Sequence, residues 1–388
     1  MTGSAVTAAC AMSTALNAGR GAAEAAGSVR RALGTSPDLA VVFAAGAHLS
    51  DPAISLAAVH EALAPAALIG CGAAGVLGPG REVEAGTAIS VWAATLGDGG
   101  ARPFHADVTG DGEEGVLIGL PDCPPDASLI MLADPFSFPT DGVLDGLARI
   151  APAVPVLGGL ASGRTPDGAA ALMIGDEVRD RGAVGVVLED VAMVPCVSQG
   201  AAPLGREMTI TAADGNVIRE LAGRPAVEAL EEAIAELGTA DRALLAGGLL
   251  VGIVIDSGQP EYTQGDFLVR GVLGADASSG AVAVAAQVQP GQVVRLHARD
   301  AHLASEDLRG ALALRAEAIG GAPAAGALVF ACSGRGRQMF GTADHDATSV
   351  QAGLGTPAAG FFAAGEIGPV GGRSFLHTYT ATVAVFAA

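Results

Sequence analysis

Three times along this sequence a run of strand-forming apolar residues is followed, about 27 to 31 residues later, by a glycine-rich apolar segment. The first pair is Asp38-Leu39-Ala40-Val41-Val42-Phe43-Ala44 and Ala67-Leu68-Ile69-Gly70-Cys71-Gly72-Ala73-Ala74-Gly75. The second is Ser128-Leu129-Ile130-Met131-Leu132-Ala133-Asp134 and Val156-Leu157-Gly158-Gly159-Leu160-Ala161-Ser162-Gly163. The third is Gly326-Ala327-Leu328-Val329-Phe330-Ala331-Cys332 and Pro357-Ala358-Ala359-Gly360-Phe361-Phe362-Ala363-Ala364-Gly365. Helical stretches fill the gaps, and a closing strand follows each set: Ala88 to Ala93, Ala170 to Ile174, and Tyr379 to Phe386. The spacing is that of a βαβ unit. It predicts an α/β fold, a mixed-sheet two-domain protein with internally repeated β-α-β-β units. Equivalent glycine-rich ends then gather on one side of the sheets, where α/β proteins bind ligands.

A length of 388 residues suits two domains. The join is placed near residue 222, which divides the chain into α/β domains over 1–222 and 223–388. There a hairpin, Met208–Thr211 and Val217–Leu221 around Asp214-Gly215-Asn216, runs straight into the clearest helix, Gly223 to Gly238. Pro225 sits near its first turn, Val227, Leu230, Ile234 and Leu237 line one face, and Gly238 predicts its stop. Further strands are predicted at Leu249–Ile255, Phe267–Val272, Ala281–Val288 and Gln292–His297. A long helix is predicted from about Asp300, its N-cap, to Ile319. At the start of the chain, Met1 to Thr14 reads as a strand and Ala15 to Leu33 as a helix.

Charge and side-chain usage exclude several chemistries. There are 21 basic residues against 41 acidic ones, a net charge of −20, and every basic residue is an arginine. Without lysine there is no Schiff base, no pyridoxal phosphate chemistry and no P-loop lysine. So acidic a chain repels nucleic-acid backbones and anionic lipid, so neither nucleic acid nor membrane is an expected partner. The cysteines, Cys10, Cys71, Cys123, Cys196 and Cys332, are scattered with no C-x-x-C pair, which fits reduced thiols in the cytoplasm. The apolar start, Met1 to Asn17, lacks the basic region of a signal peptide. The longest apolar run, Leu244 to Ile255, is too short to span a bilayer. No metal or organic cofactor is expected. His297 and His302 have the wrong spacing for one helix face, and there is no H-E-x-x-H. Gly70 to Gly75 matches G-x-G-x-x-G only formally, because a strand rather than a helix follows.

Candidate binding residues cluster near the C-terminus. Cys332-Ser333-Gly334-Arg335-Gly336-Arg337 ends a buried-looking strand in glycines, a thiol, a hydroxyl and two arginines. Glycines there let backbone N–H groups face an anion, and Arg335 can clamp a carboxylate or phosphate through two hydrogen bonds. The alternative is a turn whose arginines pair with the acidic surface. Glu366, among glycines and apolar residues, is costly unless paired, so Arg335 or a cationic ligand group is its natural partner. Cys332 reads as a core or pocket-wall thiol, with a nucleophile as the alternative. Cys71, between Gly70 and Gly72, reads the same way. His377 shares a strand face with Tyr379 on alternation, as either a cleft or a core histidine. Asp344-His345-Asp346 reads as a polar helix start.

These residues carry a resemblance to the FIST family, sensory proteins with paired FIST N and FIST C domains. In the N-terminal part it lies in Val41-Val42-Phe43, Leu68 to Gly75 and Leu157-Gly158-Gly159. In the C-terminal part it lies in Phe267-Leu268-Val269-Arg270, Arg299-Asp300, Phe330 to Gly336, Gly360 to Pro369 and His377. The resemblance implies small-ligand sensing in signal transduction, with amino acids as the ligand class. Family members usually carry a hydroxyl residue where Gly72 stands and Glu where Val76 stands, which weakens a polar role for the first loop. Residues 1–37 are too short for the modules that accompany the family, so the output is expected through a partner.

The leading reading is therefore a sensor that binds a small metabolite, such as an amino acid, in a glycine-rich cleft and signals through a partner. Its ligand-binding residues are Arg335, Glu366, Ser333, Cys332, Gly334, Cys71, Gly72 and His377. The alternatives are a cysteine-dependent hydrolase or transferase using Cys332 with His377, and an interaction scaffold.

Overall fold

The structure, a computed structural model, describes residues 5–109, 115–256, 258–259, 261–263, 265–321 and 323–388. The first half of the chain runs β1 (Thr7–Ser13), α1 (Ala18–Leu33), β2 (Leu39–Ala45), α2 (Pro52–Leu63), β3 (Ala67–Gly72), β4 (Val76–Gly78), β5 (Arg81–Val83), β6 (Ala88–Thr95), β7 (Gly100–Thr109), β8 (Val116–Ile118), β9 (Ser128–Ala133), α3 (Thr140–Ile150), β10 (Val156–Leu160), β11 (Leu172–Ile174), β12 (Glu177–Arg179), β13 (Ala183–Glu189) and β14 (Met193–Gln199). It continues with β15 (Ala201–Asp214), β16 (Val217–Leu221), β17 (Arg224–Pro225), α4 (Ala226–Glu236), α5 (Thr239–Leu244), β18 (Leu250–Val254), β19 (Phe267–Asp276), β20 (Ala281–Val284) and β21 (Val293–Arg299). The last part is α6 (Ala301–Ala318), β22 (Gly326–Cys332), α7 (Arg337–Phe340), α8 (His345–Leu354), β23 (Ala358–Ala363), β24 (Glu366–Val370), β25 (Arg373–His377) and β26 (Thr380–Phe386).

Local chemistry sets the element ends. Asn17 Oδ1 accepts the Arg20 amide at 2.9 Å, so α1 starts at Ala18 rather than Ala15. Asp300 Oδ1 accepts the amides of His302 and Leu303 at 2.9 and 3.0 Å, the expected cap of α6. The hairpin of β15 and β16 turns through Gly215 at φ 59°. α4 is shorter than its apolar face predicts. Gly223 sits at φ 77°, outside the helix, and the stop is Leu237 in extended conformation. Gly238, at φ −61°, leads into α5 instead.

Two compact units form. The first comprises Met1–Val197, Leu308–Leu376 and Ala381–Ala388; the second comprises Ser198–Asp307 and His377–Thr380.

In the first unit, sheets run in the orders β1-β6-β2-β3-β11-β12, β25-β24-β10-β9-β13-β7-β8 and β14-β26-β22-β23-β4-β5. Each holds one parallel pair: Leu39 faces Ala67, Leu129 faces Val156, and Ala327 faces Ala358. β6, β13 and β26 lie antiparallel on the outer side of β2, β9 and β22. In the second set, therefore, the strand beside β9 is Ala183–Glu189 and not the predicted Ala170–Ile174. Leu172–Ile174 instead pairs with Ile69–Cys71 in another sheet. Likewise β4 pairs with β23, and β24 with β10. Each parallel pair thus gives its following short strands to a neighbouring sheet.

The glycine-rich ends of β3, β10 and β23 meet. The Ala74 amide donates to Ser162 Oγ at 2.9 Å, and Ser162 Oγ donates to the Phe362 carbonyl at 2.5 Å. The Phe362 amide returns to the Gly75 carbonyl at 3.0 Å. Beneath them Phe43, Phe330 and Phe361 pack with ring centroids 5.0 to 6.3 Å apart. All three are fully buried, each contributing about 1.5–3 kcal/mol through burial.

The second unit carries an antiparallel sheet in the order β15-β21-β18-β19-β20-β16-β17. Leu230, Ala233 and Leu237 share its apolar core with Ile210, Ile218, Val282 and Leu296. Among the described residues, no helix is long and apolar enough to cross a membrane.

Candidate functional site

At the end of β22 the chain leaves the sheet but stays tied to β23. The Ser333 amide and hydroxyl both donate to the Ala363 carbonyl, at 2.9 and 2.7 Å. A turn closes from the Arg335 amide to the Cys332 carbonyl at 2.8 Å, and the Gly334 amide points at Cys332 Sγ, 3.4 Å away. This turn sends the Arg335 side chain inward, where the residue is only 1% exposed.

A guanidinium so deeply buried needs a counter-charge. Asp346, in the first turn of α8, supplies it. Arg335 Nε donates to Asp346 Oδ2 at 2.7 Å and Nη2 to Oδ1 at 2.9 Å, a bidentate clamp. His345 Nδ1 lies 2.8 Å from Asp346 Oδ1. The Phe340 ring lies over the guanidinium at 5.1 Å and stacks on His345 at 3.5 Å. Burial alone would lower the Arg335 pKa, but Asp346, then Cys332 and Glu366, outweigh it and hold the group above its ordinary value. Burial likewise opposes ionisation of Asp346, yet Arg335 and His345 hold that carboxyl well below the usual range. The third nitrogen, Nη1, is buried with no hydrogen-bond partner among the described residues.

β5 reaches the same place from the N-terminal half. The Glu82 amide donates to Asp344 Oδ1 at 2.7 Å, and Glu82 Oε1 accepts the Ala347 amide at 2.9 Å. Glu84 Oε1 accepts the Arg337 amide at 2.8 Å. Burial, and then the carboxylates of Asp346 and Glu84, push Glu82 up to about 7, against the lowering effect of the Ala347 amide. Gly336 lies at φ 114°, and a Cβ there would approach Glu84 Oε2 to 2.7 Å, so only glycine fits.

The structure therefore groups Cys332, Ser333, Gly334, Arg335 and Glu366. Glu366 opens β24 opposite Gly159 and is fully buried. Cys71 and Gly72 stand elsewhere. Cys71 is fully buried in the apolar core, and burial pushes its thiol pKa up. A Cβ on Gly72 would come within 2.8 Å of the Gly163 carbonyl, so close chain approach leaves no room for a hydroxyl side chain. His377 ends β25 and belongs to the second unit, whereas Cys332 belongs to the first. The chain turns at Thr378 and at Tyr379, with φ 63°, so His377 and Tyr379 do not continue one alternating strand. Thr378 Oγ1 donates to the Val269 carbonyl at 2.7 Å, and the Tyr379 ring lies 5.3 Å from the Arg299 guanidinium. Glu82, Glu84 and Phe340 went unnoticed in the sequence, and Asp346 was read only as part of a polar helix start. Only Asp346 had a signal: a buried arginine demands an acid, and Asp344-His345-Asp346 offers one within a short reach. Among the described residues, no group of three or more His, Cys, Asp or Glu side chains is arranged to hold a metal ion.

Carboxylates from both halves of the chain thus gather around one buried arginine, so the two halves build this site together. The chain belongs to the FIST family: the FIST N domain matches residues 38–224 and the FIST C domain residues 226–369. That family places it in sensory signal transduction. It is similar to an uncharacterized protein of Mycobacterium tuberculosis, 41% identical over 378 residues, covering 97% of this chain and 98% of the relative. It is also similar to an uncharacterized protein of Mycobacterium bovis, 41% identical over 377 residues, covering 96% and 97%.

Proposed function

We propose that the chain senses a small metabolite at the Arg335–Glu366 cluster, with a zwitterionic amino acid as the ligand class, and signals through a protein partner. The observation that carries this reading is Arg335 Nη1, a buried cationic donor with no acceptor among the described residues. Leaving such a donor unmet costs about 1–3 kcal/mol, a cost that a ligand acceptor removes. Asp346 occupies the bidentate face of Arg335, so the ligand carboxylate takes one hydrogen bond from Nη1 rather than two. The surroundings favour a cationic group on the same ligand, because Asp346, Glu366 and Glu84 outnumber the one arginine at the centre. Ser333, Gly334 and Cys332 border the arginine, and the two family-matched segments, 38–224 and 226–369, both contribute residues to the cluster.

The test is a thermal-shift panel of amino acids, followed by calorimetric titration of the best binder into wild type and Glu366→Gln. The substitution keeps the shape of Glu366 and removes its charge. At least tenfold weaker binding by the variant is expected. A panel without a single saturable shift, or equal affinity in the two proteins, would remove the assignment.

A further inference from the structure

By its own chemistry α3 is a weak helix. It places glycine at Gly142 and Gly146, one turn apart, and no side chain caps its first amides. Glycine inside a helix lowers its stability, and a close neighbour is the usual reason to find it there. Neither position has one: a Cβ on Gly142 or Gly146 would meet no atom within 4 Å. Both glycines line an open groove of about 420 Å³ between α3 and the β7–β8 hairpin. Val108 and Leu117 line it from the hairpin, and Val143 and Leu147 from the helix. From Gly142 to Ile150 it follows about 12 Å of α3. Small-molecule sites have this size and are lined mainly by apolar groups, with few polar ones.

Charge selects the occupant. The chain carries 41 acidic side chains against 21 basic ones, yet among the described residues no carboxylate lines the groove. Its one ionisable lining side chain is Arg149, in the last turn of α3. Arg149 is exposed and has no ion-pair partner among the described residues. Asp145, the nearest acid on the same helix, pairs with Arg373 instead, at 2.6 Å.

We propose that this groove is a second binding site, independent of the Arg335 cluster, and that it takes an aliphatic carboxylate. The aliphatic chain lies over Gly142 and Gly146, where the bare helix backbone leaves room for it, and the carboxylate pairs with Arg149. A guanidinium offers a carboxylate two parallel donors. It is also permanently charged, so it discriminates against an aliphatic amine of the same length. Each methylene that the groove takes from water strengthens binding about fourfold.

Calorimetric titration of the full chain with hexanoate, octanoate and decanoate tests the site, each below its aggregation concentration. Decylamine serves as the probe of opposite charge, and about 0.15 M salt screens the distant acids. Saturable binding is expected, tightening about fourfold per methylene, with decylamine at least tenfold weaker than decanoate. Gly146→Leu fills the groove and is expected to weaken decanoate at least tenfold. Its thermal midpoint should be no lower than that of wild type, because leucine is the better helix former. Arg149→Gln keeps the length of the side chain and removes its charge, so decanoate and decylamine should then bind alike. Neither substitution touches Arg335, so amino-acid binding there is expected to be unchanged and either site can fail alone. No saturable decanoate binding, equal affinity of wild type for decanoate and decylamine, or undiminished affinity in Gly146→Leu would overturn the site. So would a wild-type dimer that Gly146→Leu dissociates, because a second copy would then fill the groove.

Discussion

Two Arg–Asp pairs stand at strand ends of the first unit and use the same chemistry to different effect. After β9, Asp134 is 1% exposed and fully provided for, with Arg164 Nη1 at 2.5 Å and Ser137 Oγ at 2.7 Å. Its arginine comes in from a loop, remains partly exposed, and spends Nε on the Gly168 carbonyl and its flat face on Phe136. After β22 the burial is reversed. Arg335 comes from the strand end and Asp346 from a helix, both are sealed, and one guanidinium nitrogen is left over. The first pair completes its hydrogen bonds within residues 134–168; the second is also held by a segment more than two hundred residues away. A satisfied ion pair fastens a loop. An incompletely satisfied one has capacity for something else.

Breaking the pairs should separate them most clearly. Arg335→Ala leaves Asp346 buried and unpaired, and about 3–5 kcal/mol of stability is expected to be lost. Arg164→Ala leaves Asp134 with Ser137 and access to water, so about 2 kcal/mol is expected. Urea unfolding of the two variants measures both, and equal losses would erase the contrast. Replacing both members of the sealed pair, Arg335→Met with Asp346→Leu, is expected to recover most of the first loss.

A smaller effect sharpens the electrostatics. Arg335 holds the Asp346 pKa below its unfolded value, so the stability this pair provides is present above about pH 4 and is lost as pH falls further. Glu82 acts in the opposite sense: burial raises it to about 7, so its contribution is present at low pH and is lost as pH rises toward that value. In Asp346→Asn the acid-side decline should flatten, while in Glu82→Gln it should remain. Stability measured against pH in both variants decides this. A variant pair with the same acid limb would show that the two carboxyls are not separately tuned.

The smallest expected effect concerns the thiols. Cys71, in the core, and Cys10, pushed up to about 12 by burial, are expected to resist alkylation in the folded chain. Cys332, half-buried beside Arg335, is expected to react first. Mass spectrometry of partly alkylated protein gives the order, and prior labelling of Cys71 would contradict it.

Much of this was legible in the sequence where local pattern suffices. The apolar runs at 39–45, 128–133 and 326–332 became strands because unbroken β-branched and small residues suit strands buried on both faces. Asp300 announced a helix start, which its bonds to the His302 and Leu303 amides bear out, and Arg335 stood out among glycines as a candidate. What stayed hidden depends on distant chain meeting distant chain. Nothing in Leu172–Ile174 says that it pairs with Cys71 rather than closing its own sheet. Nothing in Arg81–Val83 says that the neighbouring carboxylates will lie against α7 and α8. Gly238 looked like a stop, but the chain became extended one residue earlier. Asp346 looked like an ordinary helix-start acid until the buried arginine gave it a partner.

The most direct test is a crystal structure of the chain with the amino acid that gives the largest thermal shift. A carboxylate oxygen about 3 Å from Arg335 Nη1, with the ammonium on Glu366 and the Asp346 clamp intact, is the predicted result. A ligand seated elsewhere, with Nη1 still without an acceptor, would contradict it.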